Sequence, residues 1–432
     1  MFNNMSIGTH LKWYALFLLF LTMQNILICQ TFRQKITLDE AAAIGLKNNP
    51  EVKIAKENIS SAKGKFWSGI SLPQPEIGVS YEYAPVNKSL SNYGEKTLSV
   101  SQSLEFPANY FLKGNKLNKE EEIEYQKWIS TKRSVLAQIK TGYYKVLAKQ
   151  KLLELAGQNL KIAEDFYNKV RIRQNVGEGT NLERLTAQVQ YSEAANNYES
   201  VKNELVSSLS EFNYSLGIRN ERGDQKFIPA DSLGYSEIKE DSLNINPQSA
   251  ENNPRIKIAE LKCGISSLEK KLAWSSLLPN INLAYFKQTR DGDSGLYGAS
   301  FGLSIPLWFL TDQRGKIQEA TANQAAADSE LQLNKNEIML KLENIKIEFE
   351  NSRRQVMLYM NDILPQAQEI YKTAVKSYDA GELTYLEYLQ SRQTLISSQN
   401  NYINALFNYY QYIFRLEEIT GVNMFGSTEA EN

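Results

Sequence analysis

Histidine and cysteine are almost missing from this chain, with one histidine and two cysteines in 432 residues, and His10 and Cys29 lie in its amino-terminal stretch. Beyond Cys29 the chain has no imidazole for acid–base work and no paired-cysteine spacing. It also lacks a Gly-rich phosphate loop and a serine elbow. These gaps exclude the common hydrolase, redox and nucleotide-driven machineries, so the chain reads as a non-enzyme that needs no cofactor. An excess of one charge is missing too. The 48 Lys and Arg against 49 Asp and Glu leave no field for nucleic acid or an anionic surface. After Cys29 no apolar run reaches the ~18–20 residues of a membrane helix. Cys263 has no partner for an internal disulfide, and its helical spacing with Ile258, Leu261 and Ile265 predicts a buried small residue. Metal ligation would fall to carboxylates or to Met339, Met357, Met360 and Met424. Met357 and Met360 lie on a helical core stripe, where thioethers pack, and no metal site is read.

The one long apolar run is at the amino terminus. Lys12 precedes Trp13–Cys29, which contains Leu16-Phe17-Leu18-Leu19-Phe20-Leu21, and the first acidic residue is Asp39. A basic start, a short apolar stretch and then polar sequence read as an export signal over 1–29. Cleavage after Cys29 leaves Gln30 first. Acylation of Cys29 is the alternative, but Ile28 stands where a lipobox wants a small residue.

What the chain has is repetition. Shifted by 204 residues it matches itself: Asn48-Asn49-Pro50 returns as Asn252-Asn253-Pro254, and Asn196-Asn197-Tyr198 as Asn400-Asn401-Tyr402. Gly177-Glu178, Thr180 and Leu182-Glu183 return as Gly381-Glu382, Thr384 and Leu386-Glu387, and Gly217-Ile218 as Gly421-Val422. Such a period is too long for a solenoid and marks a duplication. The expected boundaries are a first repeat over 30–218, with strands about 76–106 and a helical hairpin about 111–217. A linker covers 219–253. The second repeat covers 254–424, with strands about 280–305 and a hairpin about 310–420, and a tail covers 425–432.

Each half alternates strictly before its long helices. Ile77, Val79, Tyr81 and Tyr83 interleave with Glu76, Gly78, Ser80 and Glu82, and Leu98, Val100, Leu104 and Phe106 with Thr97, Ser99, Ser101, Ser103 and Glu105. The second half repeats this with Ile281, Leu283 and Tyr285, then Tyr297, Ala299, Phe301, Leu303 and Ile305. Period two means strands with one apolar and one small polar face. With export and no spanning helix, that pattern points to strands facing lipid outside and water inside, with Val79, Tyr81, Leu98, Val100, Leu283, Tyr285, Phe301 and Leu303 on the lipid side. Four strands cannot close a barrel and open edges are forbidden in lipid, so the chain must oligomerise. A homotrimer gives twelve strands.

The rest reads as helix. Thr37 with Glu40 forms a capping box, Asn49-Pro50 breaks the first helix, and helix resumes from Glu51 to about Ile70. From Phe111 to Gln174 there is no proline, and Leu136, Ile139, Tyr143, Val146, Leu153 and Leu160 keep three-and-four spacing. In the second half Ile338, Leu342, Ile345, Phe349, Val356, Tyr359 and Ile363 do the same, with Ser352 filling one place. These are coiled-coil stripes. A helix of some 65 residues is roughly 95–100 Å long, and the returning one only about 55 Å. The shorter preceding helix is expected to stack end to end on it and make up the difference.

The informative positions are the hairpin turns. Val176-Gly177-Glu178-Gly179-Thr180 and Ala380-Gly381-Glu382-Leu383-Thr384 place Gly at a helix end and Thr at the next helix start. Structurally these are caps. Functionally, identical turns distal from the membrane suit a docking surface for another protein, formed by Val176, Gly177, Glu178, Thr180, Ala380, Gly381, Glu382 and Thr384. Glu183 and Glu387 come just after, one per half. In a trimer they would ring a constriction with six carboxylates that favour cations, although a first-turn glutamate also suits the helix dipole.

Taken together, the Thr37-Leu38-Asp39-Glu40-Ala41 opening, the Asn-Asn-Pro pairs, the strand-pair–hairpin duplication and the Gly-Glu-x-Thr-x-Leu-Glu turns resemble the TolC family of outer-membrane efflux channels. The resemblance covers nearly all of the chain after the signal. It implies a fold mainly α with a membrane β-barrel portion: a trimeric tube with a 12-stranded β-barrel and a 12-helix α-barrel reaching into the periplasm. It also implies an outer-membrane location in a Gram-negative cell, a periplasmic adaptor that meets the turns, and an inner-membrane pump of the resistance-nodulation-division type. By position Glu183 and Glu387 match the family's acidic gate residues and Tyr378 its gate tyrosine. Gln390 stands where a second gate aspartate is expected, and Leu383 replaces a gate arginine. Ser101-Gln102-Ser103-Leu104-Glu105-Phe106-Pro107 and Ile305-Pro306-Leu307-Trp308 look most like the subgroup serving heavy-metal cation pumps.

The resulting reading is a passive exit duct of a tripartite efflux pump. The duct of a type I protein-secretion system shares the architecture, and a periplasmic coiled-coil scaffold is the alternative outside channels. Where the halves differ at the turns, as Asn181 against Tyr385, Arg184 against Tyr388 and Thr186 against Gln390, an asymmetric opening would show.

Overall fold

The computed structural model describes residues 33–218, 226–238 and 251–424. The expected signal with Cys29, most of the linker and the tail lie outside them. The elements in order are β1 (Arg33–Ile36), α1 (Leu38–Asn48), α2 (Pro50–Gly69), β2 (Glu76–Glu82), β3 (Glu95–Leu104), α3 (Pro107–Asn175) and α4 (Asn181–Ser215). They continue with β4 (Lys226–Pro229), α5 (Pro254–Ser275), β5 (Asn280–Arg290), β6 (Asp293–Ser304), α6 (Asp312–Leu358), a π-turn at Tyr359–Ile363, α7 (Leu364–Asp379) and α8 (Tyr385–Thr420). The chain condenses into two units. One comprises the residues up to Pro50 with Val135–Glu237 and Ile347–Arg415, the other Glu51–Ser134 with Ile238–Lys346 and the residues from Leu416.

The first unit holds the helical turns and a small parallel sheet that the hydrophobic pattern did not announce. β1 pairs with β4, which lies in the linker region. Tyrosines of the long helices hold that region down. Tyr143, fully buried, donates to the Asp231 carboxylate at 2.5 Å and accepts from Ala230 N at 3.2 Å. Tyr410 donates to the Gly234 carbonyl at 2.6 Å and Tyr409 to that of Ser236 at 3.0 Å. Burial, then the neighbouring Asp231, pushes the Tyr143 phenol well up, so it stays a neutral donor. Asn213 mimics a strand edge, accepting from Phe227 N at 2.8 Å and donating to Phe227 O at 3.0 Å.

The Asn-Asn-Pro repeat acquires a physical meaning. Asn49, buried, donates from Nδ2 to the Ser215 carbonyl at 3.0 Å and so satisfies an end carbonyl of α4. In the second unit Asn253 does the same for Ile419 of α8 at 2.9 Å. The following prolines open α2 and α5, where a missing N–H is harmless. Gly217 and Gly421 lie past the same helix ends with φ of 76° and 74°. Asn49→Ala and Asn253→Ala are each expected to cost about 1–3 kcal/mol, since each leaves a helix-end carbonyl unpaired, half-buried at Ser215 and buried at Ile419, and thermal unfolding in detergent measures this. A change of only a few tenths would mean that water replaces the amide.

The second unit is built on one antiparallel sheet of order β2-β3-β5-β6. Its register pairs Val79 with Leu98, Val100 with Tyr285 and Leu283 with Phe301, so the eight apolar residues expected to face lipid share one face, and each is exposed. Gly78, Ser99, Ser101, Ser300 and Gly302 line the other. The outward pattern ends sooner than its alternation suggests. Tyr83 leaves the ladder with φ 56°, and Phe106 and Ile305 lie just outside β3 and β6. Asp291 and Gly292, at φ 50° and 90°, make the two-residue turn that such a hairpin favours. Lys116 of α3 pairs with Glu269 of α5 at 2.7 Å, and Arg255 reaches Asn334 at 2.7 Å and Glu337 at 2.5 Å. Cys263 is half-buried, its thiol 3.2 Å from the Ala327 carbonyl.

Two long-helix expectations need amendment. Pro107 occupies the first position of α3, so that helix starts four residues before Phe111. The second half is not one continuous helix. Pro365 lacks the N–H that would bond to Asn361 O, and the turn before it widens so that Leu364 N reaches Tyr359 O, an i→i+5 bond. Ile338, Leu342, Ile345, Phe349, Ser352 and Val356 are buried as the stripe predicts, while Tyr359 and Ile363 in the π-turn are only half-buried.

Candidate gate and docking site at the helical turns

Both turns close by the same backbone device. After α3, Gly177 N bonds to Gln174 O at 3.0 Å and Glu178 N to Arg173 O at 2.9 Å. After α7, Gly381 N bonds to Tyr378 O at 3.0 Å and Glu382 N to Ser377 O at 2.8 Å. This paired pattern needs a left-handed residue, and Gly177 and Gly381 supply φ of 82° and 75°. An added Cβ would meet nothing within 4 Å at either glycine, so backbone conformation alone calls for them. Around them Val176, Glu178, Thr180, Ala380, Glu382 and Thr384 are all exposed.

The following helices open with full capping boxes. Thr180 Oγ1 accepts from Glu183 N at 3.2 Å while the Glu183 carboxylate accepts from Thr180 N at 3.2 Å. Thr384 and Glu387 repeat this at 3.3 and 2.9 Å, and the Thr384 hydroxyl adds a 2.6 Å bond to the same carboxylate. The two glutamates therefore hold their own helix starts, whatever else they do. Hydrogen bonds from the Thr384 hydroxyl and then its amide hold the Glu387 carboxyl below the usual carboxylate range. Glu387 and Gln390 are exposed, and Glu183 and Tyr378 are half-buried.

The structure adds a site that no sequence motif announced. Phe166 stacks on Tyr385 and Tyr388, with ring centroids 5.2 and 4.9 Å away, and touches Tyr378 at 5.7 Å. Tyr378 also stacks on Tyr388 at 5.3 Å, and Val170 and Ala187 complete the buried centre. Leu383, in place of the expected arginine, packs against this cluster. The duplication makes the asymmetry plain. At the positions matching Tyr378, Tyr385 and Tyr388 the first half has Gln174, Asn181 and Arg184, which hydrogen-bond through Asn181 Oδ1 at 3.4 and 3.1 Å. One turn carries aromatic rings where the other carries a polar triad. The mismatched pairs were the available signal, but nothing in them showed that the tyrosines meet on Phe166.

The cluster also contains unsatisfied polar atoms. Among the described residues the Tyr385 hydroxyl and Arg392 Nε are buried without a hydrogen-bond partner, while the buried Arg392 guanidinium donates from Nη2 to the Asn159 carbonyl at 2.9 Å. Burial pushes the Tyr385 phenol up to about 12. Such groups weaken the packing around them.

Known proteins agree with this architecture. The chain is 20% identical over 393 residues to the cobalt-zinc-cadmium resistance protein CzcC of Cupriavidus metallidurans, covering 89% of this chain and 90% of that one. It superposes on a membrane protein of Pseudomonas aeruginosa with a TM-score of 0.78 at 15% identity, covering 91% and 95% of the two chains. Similar values hold for CusC, at 0.77, 15%, 90% and 93%, and for the outer membrane protein VceC of Vibrio cholerae, at 0.75, 13%, 89% and 96%. These likenesses establish the tube-forming fold of outer-membrane channels. The model of the family described as outer membrane efflux protein matches residues 44–217 and again 246–422, once in each half, and the chain belongs to that family.

Proposed function

We propose that three copies of this chain form the exit duct of a tripartite efflux pump in a Gram-negative outer membrane, passive itself and gated at the helical turns. The observation that carries this is the sheet. Among the described residues β2 and β6 are unpaired edges, and one face exposes Val79, Leu98, Val100, Phe301 and Leu303. Neither an open edge nor that face is tolerated alone, and both are resolved when sheets of further copies close a lipid-facing barrel. No helix among the described residues is long and apolar enough to cross a membrane. Three four-stranded sheets make twelve strands.

In this reading the exposed turns around Gly177 and Gly381 meet a periplasmic adaptor, and through it an inner-membrane pump of the resistance-nodulation-division type. Glu183 and Glu387 supply an acidic ring, Gln390 adds an uncharged position one turn on, and Tyr378 is part of the closed packing. The cargo is metal cations, supported by the likeness to the cobalt-zinc-cadmium resistance protein. The pump rather than the duct selects that cargo, so the duct needs no metal site. Purified protein is expected to resist carbonate extraction and to run as a heat-modifiable trimer. Deleting its gene should raise cellular zinc, cobalt or cadmium. Accumulation of organic solutes with unchanged metals would overturn the cargo, and a carbonate-soluble monomer would overturn the duct.

A further inference from the structure

The exposed apolar face of the sheet is interrupted by charge at one place. Lys96 is registered opposite Tyr81 and Thr289, and Lys287 opposite Leu98 and Tyr297, so both ammonium groups stand on the face that carries Val79 and Leu98. They are diagonal neighbours across β3 and β5, about 7–8 Å apart at the backbone. Both sit toward the hairpin-turn ends of their strands, since β3 starts at Glu95 and β5 ends at Arg290. The nearby acids Glu82 and Glu95 pair with each other on the opposite face, where Glu95 accepts from Gln288. Neither lysine has a carboxylate partner among the described residues. Lys96 instead lies 5.4 Å from the centre of the Tyr81 ring.

A cation on the lipid side of a barrel strand is costly at mid-membrane and nearly neutral at the interface, and a lysine stem lets its ammonium rise to that level. Two such lysines reaching the same height, flanked by Tyr81 and Tyr297, can hold one phosphate between them. The helices of this unit join the other ends of these strands, so the lysine end is the one away from the periplasm. We infer that Lys96 and Lys287 form a site, one per chain, for the phosphate of a phosphorylated saccharolipid headgroup in the outer leaflet. This rests on the barrel reading above.

The test is native mass spectrometry of the delipidated trimer titrated with bisphosphorylated lipid A, with phosphate-free lipid A and with inorganic phosphate. At about 1 kcal/mol per lysine near an anionic surface, K96Q/K287Q is expected to weaken lipid A binding about thirtyfold, with K96R/K287R retaining it. Wild-type protein should bind the phosphate-free lipid as weakly as the glutamine variant binds lipid A, a comparison that needs no variant to fold. Equal binding of the two lipids by wild type, or equal binding by wild type and K96Q/K287Q, overturns the site. Displacement of the lipid by millimolar inorganic phosphate overturns it in favour of a free anion. A carbonate-resistant trimer without lipid discrimination leaves the duct standing and removes only this site, whereas a carbonate-soluble protein removes both.

Discussion

Phe166→Ala is expected to destabilise the protein by about 3–5 kcal/mol, the usual cost of removing a buried aromatic ring, and to raise the conductance of reconstituted trimers severalfold. Phe166 is the ring from the first half on which Tyr378, Tyr385 and Tyr388 of the second half gather. Without it the two hairpins lose the centre of their shared packing, while the capping boxes and glycine turns remain intact. Tyr385→Phe is the control. It removes a buried hydroxyl that has no partner, so stability should hold or rise by up to about 1 kcal/mol, with conductance no higher than wild type. Reduced stability with wild-type conductance in Phe166→Ala would show that the cluster is structural packing and not a gate.

The second large effect is on selectivity. Glu183→Gln with Glu387→Gln should lower the cation-over-anion permeability ratio of the trimer about thirtyfold, since the ring favours a cation and disfavours an anion by the same amount. One unit charge acts on an ion about 8 Å away in water by roughly 0.5 kcal/mol, and six such charges, reduced by physiological salt, leave roughly 1 kcal/mol. Glutamine can still accept from the Thr180 and Thr384 amides, so the helix starts survive the change. The pH dependence comes from Glu387, whose pKa is depressed. Its charge persists as pH falls below the ordinary carboxylate range and is lost only on passing through that lowered value, and Glu387→Gln alone removes this acid-resistant part. Reversal potentials in a salt gradient measure both effects, and an unchanged ratio in the double variant would remove the acidic ring from the mechanism.

Much of this was legible in the residues because it is local. Thr37 with Glu40, Thr180 with Glu183 and the glycines at 177 and 381 act within a few positions, so their order alone specifies caps and turns. Strict alternation in β3 and β6 specified which side chains share a face. The strands β1 and β4 were missed because four residues carry too little pattern, and their pairing depends on Tyr143, Asn213 and Asp231 brought from far along the chain. The widened turn before Pro365 was missed because the apolar stripe runs on through Tyr359 and Ile363 and hides the break.

The sequence by itself determined the duplication, the helix ends, the sheet faces and the two glutamates at matching positions, since each is set by spacing within a short window. Only the tertiary structure decided that Asn49 and Asn253 close helices 166 residues downstream and that Phe166 gathers three tyrosines from the other half. A periodic stripe states that a helix has a buried face, but not which face it meets. That choice depends on packing among segments hundreds of residues apart, and here it brought the three tyrosines of one turn onto Phe166 of the other half.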